Sequence, residues 1–319
     1  MRLGQALKPL GQGIFVLDSG YVRASFDAIH LIIEAGRVAL IDTGTRHSLP
    51  RVMQALTDLG VEPDGVEYVI LTHVHLDHAG GAGALMAALP AARLVVHPRG
   101  ARHMVDPTKL WQATCEVYGR EEAERMYGSI EPVPADRVIE AADGEVIRLA
   151  GRELQCLDTP GHARHHITIR DETTGWLFTG DTFGISYREF DVDGRAFAFP
   201  SSTPVQFDPE TLIASIERLA ALAPPAVLLT HYSICRDVPR LAGTLVRLTR
   251  RYAAIGLAHS KAGTDRTKLI RADLERLLID ELRLHGVTLD EPEITGLLSL
   301  DLPLNADGIV SWLDAQSRQ

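Results

Sequence analysis

Cysteine is scarce. The 319 residues include three, Cys115, Cys156 and Cys235, an odd number without paired spacing, which argues against a disulfide framework and for thiols in a reducing compartment. Positive charge is also in short supply. Thirty-two Lys and Arg stand against 42 Asp and Glu, for a formal charge of −10, so the broad basic footprint of a nucleic-acid-binding protein is missing. The densest basic group, around Arg247, Arg250 and Arg251, falls on an expected helix. No apolar run approaches the ~18–20 residues needed to cross a bilayer. The stretch from Met1 to Gly13 lacks the apolar core and small-residue cleavage site of a secretory signal. Low-complexity tracts, Gly/Ser linkers and repeats of solenoid length are missing too. These absences lead to the expectation of a cytoplasmic protein that meets a small-molecule substrate, with no nucleic acid and no membrane among its partners.

What is present begins with a 45% hydrophobic content, enough for a sizeable core. Short apolar runs at 38–41, 68–71, 93–97, 154–157, 167–170, 176–179 and 226–230 read as buried strands. Leu49, Val52, Met53, Leu56 and Leu59 fall on one helical face, and Gly60 is a natural stop. Asp208-Pro209 opens a second helix, with Leu212, Ile213, Ile216 and Leu219 on one side. After Tyr232 the period becomes helical throughout: Val238, Leu241, Leu245, Leu248 and Tyr252, then Ile270, Leu274, Leu277, Leu278 and Leu282. The expected organisation is therefore a mixed α/β domain over 1–235 and a helical extension over 236–319. A cap over a site, a dimerisation element and plain packing are all open roles for that extension.

The chemistry is concentrated in Leu71-Thr72-His73-Val74-His75-Leu76-Asp77-His78-Ala79-Gly80-Gly81. Four metal-ligating residue types occupy six positions directly after a buried strand. His73 and His75, two apart, can point to one side of a strand end, while Asp77 and His78 can face a second point. Imidazole and carboxylate together suit zinc, iron or manganese. Four residues cannot fill two metal shells, and further candidates stand where later strands end: His162 after Thr159-Pro160-Gly161, Asp181 after Thr179-Gly180, and His231 after Leu229-Thr230.

This constellation resembles the metallo-β-lactamase superfamily, and within it the hydroxyacylglutathione hydrolase (glyoxalase II) branch. The resemblance covers about residues 14 to 235 through Leu40-Ile41-Asp42-Thr43-Gly44, the His73–His78 cluster, Thr159-Pro160-Gly161-His162, Thr179-Gly180-Asp181-Thr182 and Thr230-His231. It implies an αββα sandwich with two divalent metal ions, zinc by default and iron or manganese otherwise, at one edge between two sheets. By motif, His73, His75 and His162 hold the first ion, Asp77, His78 and His231 the second, and Asp181 bridges them. A hydroxide between the ions is then the nucleophile, oriented by Asp77. Asp42 reads as a residue that orients a ligand or shapes the turn. The bridging Asp181 separates the chain from antibiotic-hydrolysing members, which typically lack it.

The chain also departs from that branch. Ala163-Arg164-His165-His166 replaces a Thr-x-Gly-His pattern, so that His166 matches the last histidine and reads as pocket lining, while Arg164 and His165 read as surface residues. Tyr187 and Arg188, just beyond Asp181, are candidates for binding a substrate oxyanion or carboxylate, and Phe197-Ala198-Phe199-Pro200 for an apolar pocket wall. The glutathione-binding residues of the branch have no motif match here. The expected activity is hydrolysis of a thioester, ester or lactone. The alternatives are a phosphodiesterase, a mononuclear iron sulfur dioxygenase, and a weakly catalytic sensor or binding module; a homodimer through the C-terminal helices is a further expectation for any of these.

Overall fold

The computed structural model describes residue 4 and residues 6–317; part of the N-terminal stretch read for a signal (residues 1–3 and 5) and residues 318–319 lie outside the described residues. Among the described residues, thirteen strands form two sheets. The first runs in the order β1 (Leu7–Gly11), β2 (Ile14–Asp18), β3 (Ala28–Glu34), β4 (Arg37–Ile41), β5 (Val66–Ile70), β6 (Arg93–Val96) and β7 (Val138–Glu140). Its β1–β4 part is antiparallel and its β4–β7 part parallel. The second comprises β8 (Val146–Leu149), β9 (Arg152–Asp158), β10 (Ile167–Asp171), β11 (Leu177–Gly180), β12 (Val227–Leu229) and β13 (Ser233–Cys235), in the order β13-β12-β11-β10-β9-β8. This is the two-sheet α/β architecture with a C-terminal helical region that the sequence leads one to expect.

The chain separates into two compact units. One consists of residues 1–158, 165–180 and 225–234, the other of 159–164, 181–224 and 235–319. In the first unit, strand alternation supplies two cores. Leu31, Val38 and Leu40 pack with Val52, Ala55 and Leu56 of helix α1 (Leu49–Leu59). Their neighbours Ile32, Ala39 and Ile41 face Leu154, Cys156, Ile167, Ile169, Phe178 and Leu228 of the second sheet. Helix α1 ends as expected, with Gly60 left-handed at φ 69° and its N–H donating to the Leu56 and Thr57 carbonyls. A short helix α2 (Leu76–Ala79) and helix α3 (Ala82–Ala88) follow β5; α4 (Pro98–Val105), α5 (Thr108–Tyr118) and α6 (Arg120–Tyr127) fill the connection from β6 to β7. Two main-chain bonds link the sheets at one edge: Ile167 N–H donates to the Thr72 carbonyl at 2.8 Å, and Ala28 N–H to the Thr230 carbonyl at 2.9 Å.

The second unit is helical: α7 (Pro209–Ala221), α8 (Val238–Ala258), α9 (Arg266–His285), α10 (Glu291–Leu297) and α11 (Asp301–Gln316). Asp208 caps α7 by accepting from Thr211 N–H at 2.9 Å. Helices α8, α9 and α11 pack on one another and α7 on α8. The apolar stripes read from the sequence are the ones they bury: Ile216, Leu219, Leu245, Leu248, Leu274 and Leu278 are fully enclosed. Among the described residues, no helix is long and apolar enough to cross a membrane.

His30 of β3 is buried in the first unit, edge-on to Phe178 with centroids 5.4 Å apart. Burial pushes its pKa down to about 4, against a smaller opposing pull from Asp42. The folded protein therefore keeps this imidazole neutral, while the unfolded chain protonates it below its ordinary value of 6.5. Above that pH the group contributes no pH dependence; as pH falls from there toward 4, stability is lost, on the order of 3 kcal/mol in all. Urea unfolding of the wild type and His30→Gln across this window should show a shallower acid dependence in the variant; parallel curves would refute the assignment.

Candidate metal centre

Asp42 follows β4 in a left-handed conformation, φ 61°, which aspartate tolerates better than most residues. Its buried carboxylate accepts from Thr72 N–H at 2.8 Å, Thr72 Oγ1 at 2.9 Å, Thr230 Oγ1 at 2.9 Å and His78 Nδ1 at 2.9 Å. Three chain segments, those after β4, β5 and β12, are thereby held at one point. Thr43 adds a second hold, since its N–H and hydroxyl both donate to the His78 carbonyl at 2.7 Å.

This frame sets the histidines. His78 Nδ1 faces the Asp42 carboxylate, and His231 Nδ1 faces the Phe26 carbonyl at 2.9 Å. A carbonyl or carboxylate oxygen only accepts, so in each ring Nδ1 carries the proton and Nε2 presents its lone pair. Those Nε2 atoms lie 3.6 and 3.4 Å from Asp77 Oδ2, and the ligand atoms of Asp77, His78 and His231 all lie within 4.8 Å of one another. Two imidazole lone pairs converging on one carboxylate oxygen form a donor set that fits a divalent cation. His73 stands beside them, its Nε2 2.9 Å from His75 Nδ1; a proton or a shared cation must bridge two nitrogens at that distance.

In the second unit, His162 follows the same rule. Its Nδ1 donates to the Ser201 carbonyl at 3.2 Å, and its Nε2 lies 3.5 Å from Asp181 Oδ2. Both residues are buried. The chain reaches Asp181 through Gly180, which ends β11 at φ 48°; a Cβ at Gly180 would overlap His166 Nε2 and the Thr72 hydroxyl, so only glycine lets those side chains close in.

The remaining candidates divide. His166 is buried and stacks on His73 with centroids 5.0 Å apart. His165, expected at the surface, is also buried, 6.3 Å from His73 and 5.9 Å from His75 by ring centroid, and its Nδ1 faces Val74 N–H. The imidazole packs beside the His73–His75 pair and the Val74 main chain, a tertiary contact with no local signature. Arg164 is exposed, as expected. The Tyr187 hydroxyl donates to both Asp301 carboxylate oxygens at 3.0 Å, and Arg188 bonds the Ser186 carbonyl and hydroxyl and pairs with Asp191 at 3.3 Å. Phe197, Ala198 and Phe199 are buried.

Sequence reasoning missed Asp27. This carboxyl group is enclosed, and among the described residues neither oxygen makes a well-formed hydrogen bond, the Ser19 side chain adding only a weak pull. Burial raises its pKa to about 7, while His231 and His78 pull it the other way. A buried carboxyl near these histidines, so poorly supplied with donors, is a further feature that a nearby cation would relieve. Its signal in the sequence was weak: one acidic residue just before a largely apolar strand.

Residues 27–231 match the family model of the metallo-beta-lactamase superfamily. The chain belongs to that superfamily. It is 31% identical over 185 residues to the acyl-coenzyme A thioesterase MBLAC2 of Gallus gallus, covering 55% of this chain and 65% of that protein. To the hydroxyacylglutathione hydrolase of Xanthomonas euvesicatoria it is 30% identical over 205 residues, covering 64% and 57%. The chain thus spans less than two thirds of the length of these relatives. The crystal structure of the metallo-beta-lactamase family protein TTHA1429 from Thermus thermophilus shares the fold, with a TM-score of 0.66 at 22% identity over 97% of this chain and 95% of that one. A superfamily member with these His/Asp clusters is one that could bind metal ions.

Asp42→Ala should leave several buried donors unsatisfied, at roughly 1–3 kcal/mol each, and lower metal affinity by about 10- to 100-fold through the freed His78 ring. Denaturant unfolding with and without chelator measures the first effect and metal content after dialysis the second. Wild-type values in both would show that Asp42 frames nothing.

Proposed function

We propose that the chain is a dinuclear metal-dependent hydrolase of acyl thioesters, with esters and lactones as related substrates. The observation that carries the reading is the set of histidines anchored at Nδ1 and presenting Nε2: His78 and His231 toward Asp77, and His162 toward Asp181. In this reading His73, His75 and His162 hold one ion, Asp77, His78 and His231 the other, and Asp181 serves both. Two such ions would polarise a scissile carbonyl and activate water near neutral pH.

The chain's own residues supply the rest. Asp77, only partly buried, is placed to orient the attacking water and take up its proton, and His166 lines the pocket beside His73. Tyr187 and Arg188 could meet substrate only by giving up the contacts described above, so we assign them to bracing the loop after Asp181. Thioesters are favoured because two relatives of similar identity bear names of enzymes acting on acyl-coenzyme A and on an acylglutathione. A metal-ligating set of imidazoles and carboxylates makes zinc the first choice. The cytoplasm is the compartment we assign, consistent with three free thiols, and a small molecule the ligand.

Metal analysis of purified protein is expected to give close to two ions per chain. A panel of acyl-coenzyme A, acylglutathione, lactone and phosphodiester substrates should show thioester turnover, which Asp181→Ala lowers by more than about 100-fold, since even an orienting partner of a ligand is worth that much. One iron per chain with no hydrolysis would move the assignment to oxidation of a sulfur substrate.

A further inference from the structure

We infer that helix α11 is a working part of the metal centre: Asn305 positions His162 through Ser202 and the Ser201 carbonyl. The inference rests on the two-metal reading above and gives the C-terminal helices a role that periodicity left open.

His162 lies in the short excursion 159–164, and Ser201 in the segment 200–206, neither of which is helix or strand. The Ser201 carbonyl that accepts from His162 Nδ1 is therefore fixed by whatever holds its segment. Gln206 Oε1 of that segment accepts from Arg164 N–H at 2.7 Å, and α11 supplies the rest of the hold. Asn305 Oδ1 accepts from Ser202 N–H at 2.7 Å and from the Ser202 hydroxyl at 3.1 Å, and the same hydroxyl reaches the Asn305 carbonyl at 3.0 Å. Asn305 is 1% exposed. Nearly one turn further on, a Cβ at Gly308 would overlap the Ser202 carbonyl, so the helix lies directly against that main chain. One turn earlier, Asp301 receives the Tyr187 hydroxyl. Residues 301, 305 and 308 share one helical face.

That stripe is costly for mere packing. Asparagine and glycine are poor helix formers, and a buried amide and carboxylate need partners that leucine would not. Their common feature is that each meets one of two loops, the one after Asp181 or the one bearing Ser201. The chain of contacts Asn305–Ser202–Ser201–His162 fixes which ring nitrogen of His162 is protonated and where Nε2 points. Partners at this remove from a ligand change metal affinity by about 10- to 100-fold.

The test uses the full chain, stripped with chelator and titrated with Co(II), followed by visible absorption. Asn305→Ala removes two of the three bonds to Ser202. It is expected to weaken one of the two Co(II) sites by about 10- to 100-fold and alter its absorption band. Asn305→Asp keeps the acceptor oxygen and should restore affinity to within about threefold, a rescue that a purely structural role would not produce. Melting of the metal-free proteins checks that each variant folds. Should the alanine variant not fold, Ser202→Ala, which leaves α11 intact, is read in the same way. Wild-type affinity and spectrum in Asn305→Ala, or in Ser202→Ala when that variant is used, or an aspartate variant as weak as the alanine one, would overturn the inference. A wild-type protein that takes up no Co(II) would overturn the two-metal reading itself and this inference with it.

Discussion

A single buried carboxylate holds the first unit's share of the candidate centre together. Asp42 is enclosed, and an unpartnered carboxylate in that setting is costly. The cost is offset because donors arrive from Thr72, His78 and Thr230. Each donor belongs to a segment leaving a strand, so satisfying the carboxylate and gathering those strand ends are one event. The left-handed backbone at residue 42 turns the carboxylate into that position and carries its own conformational penalty. Loss of Asp42 would thus release a ring orientation and three loop ends together.

From that point a common device recurs. His78, His231 and His162 each spend Nδ1 on an oxygen that can only accept, a carboxylate in one case and a main-chain carbonyl in the other two. Hydrogen bonding decides the tautomer, and the tautomer decides which nitrogen is left to bind. Main-chain carbonyls suit this purpose because their positions are set by the fold and no side-chain substitution removes them. The result is a preorganised set of Nε2 lone pairs, achieved by strand ends and loops whose own sequences are ordinary.

Legibility followed the range of the interaction. The His73–His78 cluster stood out because its candidate ligands are neighbours in sequence, and β4, β5 and α1 because period-two and period-3.6 patterns are local. The strand ends preceding Asp181 and His231 were visible for the same reason. Helices α4 to α6 were not separately foreseen, since few of their side chains are buried and their apolar stripe is thin. His165 could not be read as buried because the residues packed around it, among them His73, Val74, His75 and His103, lie far off in sequence. Asp27 was hidden for the opposite reason: its significance lies in partners it lacks. The bonds from Tyr187 to Asp301 and from Ser202 to Asn305 span 114 and 103 residues, and no periodicity encodes a pairing over that distance.

The brace on His162 also has an order in time. Ribosomes deliver a chain from its N-terminus, and every candidate ligand has been made once His231 is in place. Asn305 comes 103 positions after Ser202. From His231 until Asn305 is made, the nascent chain carries every candidate ligand while the Ser201 segment still lacks its bonds to α11. The second unit is assembled from three separate stretches of sequence, the last of which begins at residue 235, so no early-folding fragment can substitute. On the proposed reading, completion of the centre is a late event in biogenesis, and ions captured before it would be held by an unfinished and correspondingly less selective set of ligands.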